Sequence, residues 1–96
     1  MGFSVYITTS AKKSAKKLPV SVRQEVVRFS REIIAINPYD AEQLRKPLDE
    51  CRSFHFKMNN VHYRIAYRIV ADKKRIDVVL VGSREGFYER LRRVLR

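Results

Sequence analysis

Apolar and polar side chains change their period several times along the chain, and each change marks an element. Phe3, Val5 and Ile7 alternate with Ser4, Tyr6 and Thr8, the period of two of a half-buried strand. Thr9 and Ser10 are good helix N-caps and precede a helix predicted over Ala11–Leu18, with Ala11, Ala15 and Leu18 on one face. Pro19 interrupts or restarts it, because proline fits only a first helical turn. Val22, Val26, Phe29, Ile33 and Ile36 follow at steps of four, three, four and three. That stripe predicts a second helix, closed by Asn37-Pro38, and the pair forms a hairpin whose apolar seam lies on a sheet. The alternative use of such a stripe is a partner-binding amphipathic helix.

Residues 38–50 carry Pro38, Pro47 and little pattern beyond Leu44 and Leu48, which predicts a loop with one helical turn. From Cys51 the period returns to two. Phe54, Phe56 and Met58 point one way, and Ser53, His55 and Lys57 the other. Asn59-Asn60 predicts a tight turn, since asparagine tolerates positive φ. Val61, Tyr63, Ile65, Tyr67 and Ile69 then share one strand face, and His62, Arg64, Ala66 and Arg68 the other. The charged turn Asp72-Lys73-Lys74 leads into a strand over Arg75–Gly82. Its centre, Ile76–Val81, is apolar apart from Asp77, as expected of a central strand covered on both faces. Gly82-Ser83 is expected to end this strand and cap a final helix opened by Arg84 and Glu85. Phe87, Leu91 and Val94 or Leu95 would form its apolar side, with Arg90, Arg92, Arg93 and Arg96 in water. The expected class is α+β: an N-terminal strand, a helical hairpin, a three-stranded antiparallel meander and a C-terminal helix, in one domain over residues 1–96.

Folding the meander about Asn59-Asn60 sets Met58 opposite Val61, Lys57 opposite His62, Phe56 opposite Tyr63 and His55 opposite Arg64. Like meets like throughout, and a slip of one residue would mix the faces. His55, Lys57, His62 and Arg64 thereby form one basic cluster, with opposed side chains about 5 Å apart. Crowded like charges suggest that an anion belongs there; a solvated strand face is the plainer alternative.

Composition sharpens this. The 96 residues leave room for one core, and 45% hydrophobic content is that of a globular chain. No apolar run nears the roughly 20 residues of a membrane span, and Met1–Thr9 lacks the features of a secretory signal. Cys51 stands alone, which rules out an internal disulfide or a cysteine-based zinc site and fits a cytoplasmic location. Lys and Arg number 21 against 10 acidic residues, a net charge of +11. Residues 51–96 hold twelve basic and four acidic side chains, against nine and six in residues 1–50. Such an excess points to a polyanionic partner, nucleic acid or an acidic protein.

If Arg84 and Tyr88 share a helix face, they address one point beside the basic strands. Arginines suit the extra charge of a phosphoryl transition state, and a Tyr, Lys or His suits proton transfer. Two histidines without an acidic cluster argue against metal chemistry, and no cofactor is expected.

The runs Val61-His62-Tyr63-Arg64-Ile65-Ala66-Tyr67-Arg68-Ile69 and Val79-Leu80-Val81-Gly82-Ser83-Arg84-Glu85-Gly86-Phe87-Tyr88 resemble the RelE/ParE superfamily of bacterial toxins. The likeness covers nearly the whole chain, including Leu44-Arg45-Lys46. It implies a helical hairpin on a curved antiparallel sheet, and a type II toxin whose acidic antitoxin wraps it in a hetero-oligomer. It further implies cleavage of messenger RNA in the ribosomal A site. Arg64 matches the strand arginine that stabilises the cleaved phosphate, and Arg84 the arginine after the last strand. Tyr88 resembles the C-terminal tyrosine that stacks on or activates the attacked nucleotide. Lys57 matches one position of a Lys-x-Lys pair, and His55 departs from it at the other. Arg45, Lys46, His62 and Arg68 are expected to bind RNA. The resemblance implies in-line attack by a ribose 2′-hydroxyl without a metal, with Tyr88 or His55 as base. Two further readings stay open: a ParE-like inhibitor of DNA gyrase, and a non-catalytic RNA- or protein-binding module.

Overall fold

The computed structural model describes residues 2–96, which form a five-stranded mixed sheet with three helices. Strands β1 (Ser4–Ile7), β2 (Glu42–Gln43), β3 (Arg52–Met58), β4 (Val61–Val70) and β5 (Arg75–Ser83) lie in the order β1-β5-β4-β3-β2. β1 runs parallel to β5 and every other pair is antiparallel. The hairpin of α1 (Thr9–Ala15) and α2 (Val20–Phe29) packs on one face, where Ala11, Val22 and Val26 meet Tyr63, Ile65, Tyr67, Ile76, Val78 and Val81. Helix α3 (Phe87–Leu95) covers part of the other, where Phe87 and Leu91 meet Leu44, Leu48, Cys51, Ala66, Val79 and Leu80.

The β3–β4 hairpin has the expected register, from Met58↔Val61 to His55↔Arg64. Asn59 (φ 52°) and Asn60 (φ 64°) make the left-handed two-residue turn that this register needs. A slip would carry Tyr63, Ile65 and Tyr67 out of the core, at about 1.5–3 kcal/mol per large side chain. The apolar run of β5 is explained by a bulge: Ala66 pairs with Leu80 but Tyr67 with Val78, so Val79 and Leu80 both turn to the α3 core.

Helix α1 completes the edge of β5 where β1 stops at Ile7↔Val78. Thr8 Oγ1 donates to the Val78 carbonyl (2.8 Å) and Ser10 Oγ to that of Val79 (2.9 Å). The Val81 amide donates to Ser14 Oγ (3.1 Å). Three hydroxyls thus satisfy backbone groups that a longer β1 would have paired. This moves the cap: Thr8, not Thr9 or Ser10, accepts from the Ala11 amide (3.2 Å), and α1 ends at Ala15 rather than Leu18.

Three further expectations are corrected. The apolar stripe of the second helix does not continue through Ile33 and Ile36, which are 44% and 62% exposed. A π-helical turn over Ser30–Ile34, closed by Ala35 N–H to Ser30 O at 2.9 Å, shifts the phase so that Ser30, Ile34 and Ala35 are buried instead. Within residues 38–50, β2 pairs with β3 through Glu42↔Ser53 and Gln43↔Arg52, a strand where the lack of pattern predicts a loop. Finally, β5 runs through Ser83, and α3 starts at Phe87 after Gly86 (φ 66°), with no side-chain cap from Ser83. Arg84 and Glu85 therefore lie in a turn before the helix.

Candidate functional site

The sheet face opposite the helical hairpin changes character along β4. Ala66 is fully buried beneath α3, Arg64 is half-buried, and His62 is exposed. Beside them on β3, Ser53 is buried, while His55 and Lys57 are exposed. The pairs His55↔Arg64 and Lys57↔His62 bring the four basic residues onto one open patch, as their alternation predicts.

Tyr88, in the first turn of α3, closes one side of this patch. The guanidinium of Arg64 lies over its ring, 4.8 Å from the centroid, and the ring packs edge-on against Phe87 at 5.8 Å. A cation–π contact of this kind contributes about 0.5–1 kcal/mol when exposed. That orients the guanidinium and leaves its N–H groups free for an anion. No carboxylate lies within 4.0 Å of Arg64, Lys57 or Arg84 among the described residues.

His55 is held at its Nε2, which lies 3.1 Å from Ser53 Oγ and 3.9 Å from Glu42 Oε1. Its pKa falls below the ordinary 6.5, first because burial disfavours the imidazolium and then because Arg64 is positive; Glu42 acts the other way. The neutral imidazole, a proton acceptor, is therefore the form favoured near neutral pH.

A cleft of about 390 Å³ continues from Tyr88 between the 42–48 segment and α3. Arg45 and Lys46 line it with Leu44, Pro47 and Leu48 on one side, and Tyr88 and Arg92 on the other. Arg92, exposed as its helical position predicts, lines this cleft four residues after Tyr88 on the same helix.

Arg84 and Tyr88 do not share a helix face as expected, because the left-handed turn at Gly86 intervenes. The Arg84 amide donates to the His62 carbonyl (2.9 Å), and Arg84 and His62 line a second open cleft of about 350 Å³. Arg68, expected on RNA, is flanked by Glu50 (3.3 Å) and Asp77 (3.7 Å), and the buried Asp77 also holds Arg75 at 2.7 Å. Arg90, expected in water, folds back to donate to the Ser83 and Glu85 carbonyls at 3.0 and 3.3 Å. Among the described residues, no group of three His, Cys, Asp or Glu side chains is placed to hold a metal ion. No helix is long and apolar enough to cross a membrane.

An open patch with an oriented guanidinium, a neutral imidazole, an ammonium and an aromatic face can hold a phosphodiester, stack a base and move a proton. Comparison with known proteins gives this chemistry a setting. The family model of ParE-like toxins of type II bacterial toxin–antitoxin systems matches residues 5–92. Among solved structures, the chain is similar to one in the toxin–antitoxin complex RelBE2 from Mycobacterium tuberculosis. The two share 26% identity over 88% of this chain and 93% of that one, with a TM-score of 0.76. The fold also matches a free double arginine-to-alanine variant of the Escherichia coli toxin RelE, at 22% identity over 97% and 98% of the two chains and a TM-score of 0.74. A chain of the intact Escherichia coli RelBE complex matches at 22% identity over 86% and 98%, with a TM-score of 0.67. A comparison with curated protein sequences finds no match.

Proposed function

The chain belongs to the ParE-like toxins of type II bacterial toxin–antitoxin systems, and from that premise we propose that it is a ribosome-dependent mRNA endoribonuclease that arrests translation. The observation that carries this reading is Arg64, clear of carboxylates and stacked 4.8 Å from the Tyr88 ring, with His55 directly opposite on the neighbouring strand. Gyrase inhibition has no need of such an arrangement.

Arg64 holds the scissile phosphate of a message in the ribosomal A site, and its charge meets the extra negative charge of the transition state. Tyr88 stacks on the adjoining base and keeps Arg64 aimed. His55 takes the proton of the ribose 2′-hydroxyl as that oxygen attacks phosphorus and the 5′ oxygen leaves. The products are a 2′,3′-cyclic phosphate and a 5′-hydroxyl, formed without a metal or cofactor. Lys57, Arg84 and His62 add charge around the phosphates, and Arg45, Lys46 and Arg92 guide the strand along the cleft beside Tyr88. Arg68 serves the fold through its ion pairs and contributes little to RNA binding. The chain acts in the cytoplasm as one domain over residues 1–96. A cognate acidic antitoxin restrains it in a hetero-oligomer, a reading supported by relatives solved as RelBE complexes.

Brief induction in a bacterial host, followed by mapping of 5′ ends on a translated message, tests this. New ends inside the reading frame, absent when the start codon is removed, are expected. Growth arrest without new ends would instead assign the toxin to gyrase. Salt-sensitive RNA binding without product or arrest would leave a binding module.

A further inference from the structure

Glu42, Ser53 and His55 sit on one sheet face because the two-residue strand β2 pairs Glu42 with Ser53, and His55 follows two residues along β3. Ser53 is 2% exposed, and its hydroxyl meets His55 Nε2 at 3.1 Å. Glu42 Oε1 lies 3.9 Å from the same nitrogen, and Nδ1 has no hydrogen-bond partner among the described residues. We propose that Glu42 and Ser53 are positioning residues that keep the Nε2 of His55 protonated, so that Nδ1 is the atom that receives the 2′-hydroxyl proton. This rests on the ribonuclease reading and assigns the tautomer and support of its base.

The argument is electrostatic. A serine hydroxyl can accept from Nε2–H or donate to a bare Nε2, so Ser53 alone does not decide the tautomer. A carboxylate 3.9 Å from Nε2 favours a proton on that nitrogen. The choice also survives the reaction. As the 2′ oxygen bonds to phosphorus, its proton passes to the Nδ1 lone pair, the bond to the 5′ oxygen breaks, and that oxygen takes a proton from water. The resulting imidazolium carries hydrogens on both nitrogens and still donates from Nε2 to Ser53. With the opposite tautomer, Ser53 would have to rotate during the step. The charged groups acting on this ring are Glu42 from β2 and Arg64 from β4, and Lys57 stands two residues along its own strand. Glu42 alone among them favours the cation that forms when the proton arrives.

The test uses the full chain labelled with ¹³C and ¹⁵N histidine, with His62→Gln to assign the two rings, together with cleavage on programmed ribosomes across pH. The ring shifts of the unaltered chain are expected to show Nε2–H. Ser53→Ala, which removes the acceptor that orients the ring, should reduce cleavage by less than about a hundredfold, the low end of what a general base supplies. Glu42→Gln, at an exposed site where folding is not at risk, should raise the Nδ1–H fraction and move the His55 titration and the acid limb of cleavage together to lower pH. An Nδ1–H ring in the unaltered chain, or a tautomer balance and titration unchanged in Glu42→Gln, would overturn the inference. Failure of the ribonuclease reading would appear separately, as no cleavage by the unaltered chain whatever its ring shifts.

Discussion

The guanidinium of Arg64 and the ring of Tyr88 are in contact although they come from β4 and α3, with all of β5 between them in sequence. Each is supported from behind: Arg64 pairs across the sheet with Gly82 and with His55, and Tyr88 packs on the fully buried Phe87. The buried Phe87 and Leu91 anchor the last helix on the sheet, and the stack forms at its start, where the proposed chemistry occurs.

If Tyr88 works through its ring rather than its hydroxyl, Tyr88→Phe should cleave within a few-fold of the unaltered toxin, and Tyr88→Ala should not. Arg64→Ala should lose about a hundredfold or more, the usual effect of removing one transition-state donor. Antitoxin affinity should be retained in all three. Single-turnover cleavage on ribosomes and a pull-down with the antitoxin measure both. Normal cleavage by Arg64→Ala would move the site elsewhere.

The pH profile should follow the neutral form of His55. Its pKa lies below 6.5, from burial and from Arg64, so the acid limb of activity should fall at lower pH than an ordinary histidine would give. The same shift bears on stability. Between the lowered value and 6.5 the unfolded chain binds more protons than the folded one, so this contribution is complete above 6.5 and is lost as pH falls through the folded value. The half-exposed ring makes it small. His55→Gln should abolish that limb of the cleavage profile.

Arg90 should matter through the turn that carries Arg84. A methyl group at Gly82 would come within 3.0 Å of Arg90 Nη1, the far end of a flexible side chain, so Gly82→Ala should fold while displacing that guanidinium. Losing its bonds to Ser83 and Glu85 is expected to cost about 1 kcal/mol. Gly82→Ala, Arg90→Ala and the double variant should then be about equally destabilised. Additive losses in urea denaturation would contradict the shared cause.

Tyr67→Phe should destabilise the fold while leaving the Arg64–Tyr88 contact in place. The buried phenol donates to the Pro38 carbonyl at 2.6 Å, and burial has pushed its pKa up to about 12. Removing the donor strands a buried carbonyl, for about 1–3 kcal/mol. Urea midpoints should fall while cleavage by the folded fraction is unchanged.

The parts of this molecule legible in the sequence are those with a period. The β3–β4 register followed from alternation and from Asn59-Asn60, and so did the clustering of His55, Lys57, His62 and Arg64. The π turn at Ser30–Ile34 was not legible, because an i→i+5 bond shifts helical phase without changing composition. Strand β2 is too short to show a period, so Glu42 gave no sign of meeting His55. Arg84 and Tyr88 were joined by helical spacing that the left-handed Gly86 interrupts. Arg68 looked free because its partners Glu50 and Asp77 are 18 residues before it and nine after.

Among the described residues, strand β1 has its sheet partner in β5, which starts at Arg75, and Tyr88, which meets Arg64, follows β5 in the chain. As the chain leaves a ribosome, residues 4–7 must wait for nearly all the others before they have an edge to join. Contacts of such long sequence separation form late. A nascent chain thus carries no assembled site for most of its synthesis.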